Sequence, residues 1–225
     1  MRIQKLTLLT NQLDEMKKFY HHHLHFELIH SGKDSFSVQV GASILVFKRN
    51  SDSTTPFYHF AMNIPKNQLQ EAKKWLTSIT KLNTQDGYDE VFFKNWNAHA
   101  IYFTDPAGNI LELIARHEDI IQESYSPFHS KRIINISEIG IVTHQVQQLA
   151  QKINLMGIQN ARLGSEEFAP LGDAEGLFII VKDQRTWYFS DQPARFFPVH
   201  VVVENVGEFV FQSMNEVHLH HDLPA

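Results

Sequence analysis

The sequence predicts an α+β fold of tandem βαβββ modules that form cupped mixed sheets, with a truncated fourth module. Three observations support this prediction: strand-like alternation, amphipathic helical stripes, and a strand–helix–strand order that recurs along the chain. The order appears twice between residues 1 and 116, again from residue 136, and begins once more near residue 198. Such recurrence is typical of modular repeats.

The first module contains five predicted elements. Residues 2–10 alternate as a strand. Asn11 is a cap-like residue before a helical stripe that begins at Leu13 and ends near His23. Three short strands follow, at residues 26–30, 36–40 and 44–47.

The second module repeats this order. Residues 57–63 alternate strongly, and Pro65 stands where a helix with a stripe from Leu69 to Ile79 can begin. Asp-Pro-Ala-Gly-Asn at residues 105–109 predicts a tight turn. The later strands are predicted at residues 91–93, 100–104 and 110–115.

A polar stretch with little periodicity follows and predicts the domain organisation. We expect a first domain of two modules at residues 1–116, a linker at 117–133, and a second, incomplete domain at 134–225. The predicted elements of the second domain are a strand at 136–143, a helix from Val146 to Met156, and strands at 177–181, 186–189 and 198–203.

Composition excludes several classes of protein. The 225 residues are 43% hydrophobic and 20% charged, and the net charge of -5 shows no basic footprint for nucleic acid. The absence of cysteine excludes disulfides, cysteine nucleophiles and thiolate metal sites. No apolar stretch is long enough to span a membrane, and no signal peptide is evident, so a cytoplasmic location is expected.

Two segments resemble a known family. Residues 99–114, HAIYFTDPAGNILELI, resemble the strand–DPxGN–strand signature of the glyoxalase, bleomycin-resistance and extradiol-dioxygenase superfamily, which has the vicinal oxygen chelate fold. The helix from Leu13, followed by residues 24–26, is similar to the helix of that family. It departs from the family pattern at Gln12, where an acid is usual, and at His25, where a glycine is usual.

The resemblance covers residues 1–116 and extends more weakly over 134–204. It implies a divalent metal (Fe, Mn, Ni or Zn) inside the cup, held by His and Glu side chains of the first and last strands of paired modules. Open positions on the metal would accept substrate and water. His59 matches the ligand position on the first strand of the second module, and Glu112 matches the acid on its last strand.

The first-strand position of the first module falls on Lys5, and a protonated lysine cannot bind a metal. Two interpretations of His59 and Glu112 therefore stay open: a metal site, or a hydrogen-bonded pair in the cavity. In the second interpretation, the Lys5 ammonium replaces the metal and pairs with Glu112. In this register, Lys5→His should strengthen metal binding.

Three further polar residues belong to the same patterns. His99 is a candidate catalytic acid–base group near Glu112, or a strand-edge histidine that binds water. Glu138 and His200 fall on the first-strand positions of the third and fourth modules, and we expect a structural or vestigial role for both.

The function expected from the resemblance is to act on, or bind, a small oxygenated organic molecule in a cupped cavity. One hypothesis is a metal-dependent lyase or ring-cleaving dioxygenase; the alternative is a metal-free protein that sequesters a small molecule. A third hypothesis is an inactive member of the family that works through dimerisation or through binding of a partner, and association would cover exposed sheet edges. The sequence alone identifies neither the substrate nor the reaction class.

Overall fold

The computed structural model describes residues 1–118 and 122–221, in which the chain forms two seven-stranded mixed sheets. Strand–helix–strand modules follow one another along the chain, and the sheets curl into a half-barrel. The predicted α+β fold with cupped mixed sheets is therefore confirmed.

The first module follows the predicted order. Its elements are β1 (Ile3–Thr10), α1 (Leu13–Lys17), a π-helical segment (Lys18–His23), β2 (Glu27–Ser31), β3 (Ser35–Val40) and β4 (Ser43–Arg49). The helix begins after Gln12 rather than after Asn11, and the Thr10 hydroxyl accepts a hydrogen bond from the Gln12 backbone N–H. Strand β1 pairs in parallel with β4.

The second module has the same connectivity. Its elements are β5 (His59–Asn63), α2 (Leu69–Thr77), β6 (Val91–Phe93), β7 (Ala98–Thr104) and β8 (Ile110–Arg116). Strand β5 pairs in parallel with β8, as β1 does with β4. The two modules therefore share one plan, in which the first and last strands are neighbours.

The second half of the chain departs from that plan. Its elements are β9 (Asn135–Thr143), α3 (Val146–Leu155), β10 (Phe168–Asp173), β11 (Gly176–Lys182), β12 (Val199–Val203), β13 (Gly207–Ser213) and β14 (Glu216–His220). Strand β10 is absent from the sequence predictions because Pro170 and Gly172 interrupt its alternation; it lies at a sheet edge, where proline is tolerated. No helix separates β12 from β13.

The strand predicted at residues 186–189 is wrong. Positive φ angles at Gln184 and Phe189 turn the backbone, and only an isolated bridge between Thr186 and Pro193 forms there. The segment is a loop, and because it is not part of a sheet, its side chains can cover the face of the second sheet.

Each sheet combines modules from both halves of the chain. The first sheet has the order β14-β13-β12-β1-β4-β3-β2, and the second has β10-β11-β9-β5-β8-β7-β6. The first module thus shares a sheet with the fourth, and the second with the third. The division into domains at residues 1–116 and 134–225 stays a prediction, and part of the predicted linker, residues 119–121, lies outside the described residues.

Apolar side chains form two clusters. The larger cluster is the main core and combines residues of both sheets and all three helices, among them Leu6, Met16, Phe60 and Phe178. The smaller cluster lies on the other face of the second sheet and includes Tyr102, Ile114, Ile179 and Trp187. Within residues 1–118 and 122–221, no helix has the length and apolarity that crossing a membrane requires.

A buried hydrogen bond joins the first module to the tight turn of the second. The Tyr20 hydroxyl donates to Oδ2 of Asp105 at 2.8 Å, and both side chains are buried. Asp105 also accepts hydrogen bonds from the backbone N–H groups of Ala107 and Asn109. Gly108 allows the turn through its φ of +86°.

Removing this hydroxyl tests the link. Tyr20→Phe should lower the free energy of unfolding by about 1.5–3 kcal/mol, because a buried hydrogen bond to a carboxyl group is lost. Urea denaturation followed by circular dichroism measures the change. Tyr125→Phe is the control, since the Tyr125 hydroxyl bonds to Glu123 on an exposed surface. A Tyr20→Phe protein as stable as this control would contradict the assignment.

Candidate metal centre

Three neighbouring strands of the second sheet bring His59, Glu112 and Glu138 together. Ala61 on β5 lies opposite Glu112 on β8 and opposite Glu138 on β9. His59 precedes Ala61 by two residues and therefore lies on the same face of the sheet. Nitrogen and carboxylate oxygen atoms of the three side chains lie within 4.8 Å of one another, and all three residues are buried.

The hydrogen bonding of His59 presents one ring nitrogen to the carboxylates. Its Nδ1 lies 3.1 Å from the Ile110 carbonyl, which can only accept, so Nδ1 carries the hydrogen. Nε2 is then an unprotonated nitrogen 3.7 Å from Oε2 of Glu112. Burial, with a contribution from Arg185, lowers the pKa of His59 to about 4. The imidazole is therefore neutral near pH 7, which is the form that binds metals.

Glu112 has an unsatisfied oxygen. Burial, followed by the nearby Glu138 carboxylate, raises the pKa of Glu112. Its Oε1 is buried and has no hydrogen-bond partner in the part of the chain that the structure describes. A buried carboxylate oxygen without a partner is costly, so this position favours either a proton or a cation.

Glu138 is paired with a buried arginine. Nη2 of Arg116 donates to Oε1 of Glu138, and Nε donates to Oδ1 of Asn63 at 3.2 Å. Arg116 is fully buried, and its Nη1 has no acceptor among the described residues. Asn63 in turn donates to Asn135 at 3.1 Å. This network holds one oxygen of Glu138 and leaves the other available.

The donor set fits a divalent metal. Ligand atoms about 2.1 Å from an ion lie about 3.0–3.5 Å from each other. The 3.7 Å separation of His59 and Glu112 is close to this spacing, and the 4.8 Å limit for the set requires only small side-chain shifts. One imidazole and two carboxylates are a mixed nitrogen and oxygen donor set. The unsatisfied oxygen of Glu112 lies where such an ion would compensate it.

In the third module, the apolar residue Ile179 stands at the position that Glu112 has in the second module. Glu112 faces Ala61, two residues after His59, across the β5–β8 pair. The equivalent position beside Gly140, two residues after Glu138, is Ile179 on β11. The cluster therefore has three ligands, and Ile179 forms part of an apolar wall beside them.

The predicted contact between Lys5 and Glu112 is wrong. The second module pairs with the third rather than with the first, so Lys5 on β1 lies in the other sheet from Glu112. Its side chain is exposed there. The buried cation beside the cluster is Arg116. Lys5→His would therefore add no ligand at this cluster, contrary to the sequence-based expectation.

Two other candidate histidines lie away from the cluster. Nδ1 of His99 is 2.7 Å from Nε2 of His117, and alternation along β7 places His99 on the face opposite to Tyr102, which is near Glu112. The catalytic role of His99 stays a prediction. His200 lies in the first sheet, with Nδ1 3.3 Å from Oε1 of Glu208.

The sequence pattern does not indicate two residues of this cluster. It places Glu138 at a first-strand position but predicts a structural or vestigial role, because module pairing does not follow from local patterns. Arg116 lies at the end of an apolar run and is not among the predicted site residues. Its signal was its even spacing from Glu112, which places both on one face of β8.

A pocket of about 380 Å³ opens beside the cluster. Its lining includes His59, Glu112 and Glu138 together with aromatic rings from β6 and from the loop after β11. The ring of Trp187 from that loop packs on His59 with centroids 5.0 Å apart. Gly140 allows this contact, since a Cβ there would lie 2.5 Å from the Trp187 ring.

Solved structures share this fold. A candidate dioxygenase from Bacillus subtilis subsp. subtilis str. 168 superposes with a TM-score of 0.58 at 16% identity, covering 80% of this chain and 63% of that one. Glyoxalase I from Zea mays superposes with a TM-score of 0.54 at 13% identity, covering 80% of this chain and 66% of that one. The chain thus spans less than two thirds of the length of either protein.

Sequence comparison adds one match. A family model described as toxoflavin-degrading enzyme matches residues 136–185, the segment that contains Glu138 and Arg185. No curated protein matches the sequence. The chain has the vicinal oxygen chelate fold of the glyoxalase, bleomycin-resistance and dioxygenase superfamily, as its sequence resemblance predicted. A shared fold does not define a reaction, so the chemistry has to be argued from the site.

The buried ion pair gives a stability prediction. Arg116→Met should lower the free energy of unfolding by about 3–5 kcal/mol, because Glu138 would be left as an uncompensated buried charge. The double variant Arg116→Met/Glu138→Leu should be more stable than the single variant, since both charges are gone. Urea denaturation measures both.

Lys74→Met is the control for this experiment, because Lys74 and Glu71 form an exposed pair at 2.9 Å. Loss of such a pair costs about 0–1 kcal/mol. If Arg116→Met is as mild as this control, the network does not depend on the buried pair.

Proposed function

We propose that His59, Glu112 and Glu138 bind one divalent metal ion and that the chain acts on a small oxygenated organic molecule in the adjacent pocket. The observation that carries this proposal is the convergence of three buried ligand side chains, with one oxygen of Glu112 unsatisfied. Structural metal sites have closed ligand sets, whereas three protein ligands with open positions are typical of reactive centres.

The donor types favour Fe, Mn, Ni or Zn, since imidazole suits several transition metals and carboxylates suit harder ions such as Mn. Such an ion, when bound, supplies Lewis-acid polarisation of a substrate oxygen. The chain supplies orientation: the Ile110 carbonyl sets the His59 tautomer, and Arg116 holds Glu138. Trp187 covers His59 and limits access of water to it.

The class of reaction is proposed from the solved structures that share this fold. The solved structures with this fold include a glyoxalase I and a candidate dioxygenase, and both support assays for a metal-dependent lyase and for ring cleavage. The pocket accommodates a compact molecule, since about 380 Å³ is near the lower end of the usual range of about 300–1,000 Å³. A cytoplasmic location and association into a homodimer stay predictions.

A second candidate function is metal-free binding of a small molecule. One observation favours it: Arg116 already provides a positive charge beside Glu138. In that case Glu112 would hold a proton, as its raised pKa allows, and the pocket would bind its ligand without catalysis.

Metal content separates the two candidates. Untagged protein, loaded with Mn or Zn and then dialysed, should retain about one ion per chain by elemental analysis. Glu112→Gln and Glu138→Gln should each weaken binding by at least about 10- to 100-fold, the effect usual for loss of an outer-shell partner. Calorimetric titration gives the affinities.

Glu208→Gln is the matched control, because Glu208 also lies beside a histidine but in the first sheet, 3.3 Å from His200. This variant should retain the ion. Wild-type protein that holds no ion after loading, or an ion that survives both cluster substitutions, would overturn the metal proposal. The first of these results would support metal-free binding.

A further inference from the structure

We propose that the pocket beside the cluster selects an anionic ligand with a planar ring, and that Arg185 is the residue that recognises its negative charge. This inference rests on the proposed function in using the same pocket, and it specifies the class of ligand. Recognition by Arg185 does not itself require a metal.

Arg185 provides an uncompensated positive charge in the pocket. It belongs to the loop after β11 and lines the pocket together with His59 and Glu112. No carboxylate within residues 1–118 or 122–221 lies within ion-pair distance of its guanidinium, in contrast to Arg116. Its guanidinium carbon lies 5.5 Å from the centroid of the Phe168 ring, which also lines the pocket.

The walls favour a planar ligand. Aromatic side chains surround the space above the cluster: Phe92, Phe93, Trp96, Tyr102, Trp187 and Tyr188. Flat rings stack favourably against such walls, whereas a puckered aliphatic ring makes less contact with them. The volume of about 380 Å³ suits one ring or two fused rings.

Two of these walls are held in place. The Trp96 ring is contacted by two guanidinium groups, with Arg162 at 4.5 Å and Arg116 at 5.5 Å from its centroid. Trp187 is held between His59 and the backbone of Gly140. Walls that are ordered before binding reduce the entropy lost when a ligand enters.

The charges at the base of the pocket agree with an anionic ligand. Arg116 compensates Glu138, and Glu112 is the one remaining acidic ligand of the cluster. A bound dication together with Arg116 would leave the cluster with one excess positive charge. Lys94 adds an exposed cation to the pocket lining. The dication, where one is bound, and Lys94 would each favour a carboxylate, phenolate or enolate over a neutral group.

A matched pair of ligands tests the proposal. Calorimetry at pH 7 would compare naphthalene-2-carboxylate with naphthalene-2-carboxamide, which has the same ring and no charge. Wild-type protein should bind the carboxylate at least about tenfold more tightly than the amide, because charge-assisted hydrogen bonds are strong. Arg185→Gln should abolish this preference and leave the affinity for the amide unchanged.

Arg195→Gln is the control, since Arg195 is an exposed arginine of the same loop that does not line this pocket. It should keep the preference for the carboxylate. Decahydronaphthalene-2-carboxylate tests the ring and should bind more weakly than the aromatic acid. Equal binding of acid and amide, or an unchanged preference in Arg185→Gln, would overturn the proposal. Equal binding of the flat and puckered acids would overturn the claim for a planar ring.

Repeating the titrations on chelator-treated protein and on protein loaded with Mn separates this inference from the metal proposal. A preference for the acid without any bound metal supports Arg185 recognition even if the cluster holds no ion. A protein that retains Mn but binds both probes equally supports the metal centre and refutes the proposed ligand class.

Discussion

The antiparallel pairing of β5 with β9 is the interaction on which the candidate site depends. It joins the second module to the third and places Glu138 opposite Ala61, so that ligands from the two halves of the chain meet on one face. A slip of one residue would turn Glu138 to the opposite face, towards the main core. The buried hydrogen bond from Asn63 to Asn135 spans the same strand pair and favours the observed register.

The buried charges of the cluster depend on one another. Glu138 is tolerated in an apolar sheet because Arg116 pairs with it, and Arg116 is tolerated because Asn63 and the Trp96 ring also contact it. Oε1 of Glu112 has no hydrogen-bond partner among the described residues, and this asymmetry distinguishes the two carboxylates. Glu138 is thus compensated by Arg116, whereas Glu112 can still accept a proton or a cation.

Local patterns predicted the modules, because strand alternation, helical stripes and the turn at residues 105–109 depend on near neighbours. The resemblance to the superfamily indicates His59 and Glu112 as candidates, and both belong to the first and last strands of one module. Local patterns do not show that this module pairs with the third, so the sequence places Lys5 beside Glu112, whereas the buried cation near the cluster is Arg116, which pairs with Glu138. The sequence predicts a strand at residues 186–189, next to Arg185, where the structure has a loop, since positive φ angles at non-glycine residues leave little trace in sequence.

Ile179 occupies the corner of the cluster that symmetry would give to a fourth ligand. A fourth oxygen or nitrogen there would close the ligand set, as in structural metal sites. The isoleucine methyl groups instead repel water from that side and cannot coordinate. The third module thus repeats the strand positions of the second without repeating its carboxylate, and an ion held by the other three residues would keep coordination positions free for a substrate.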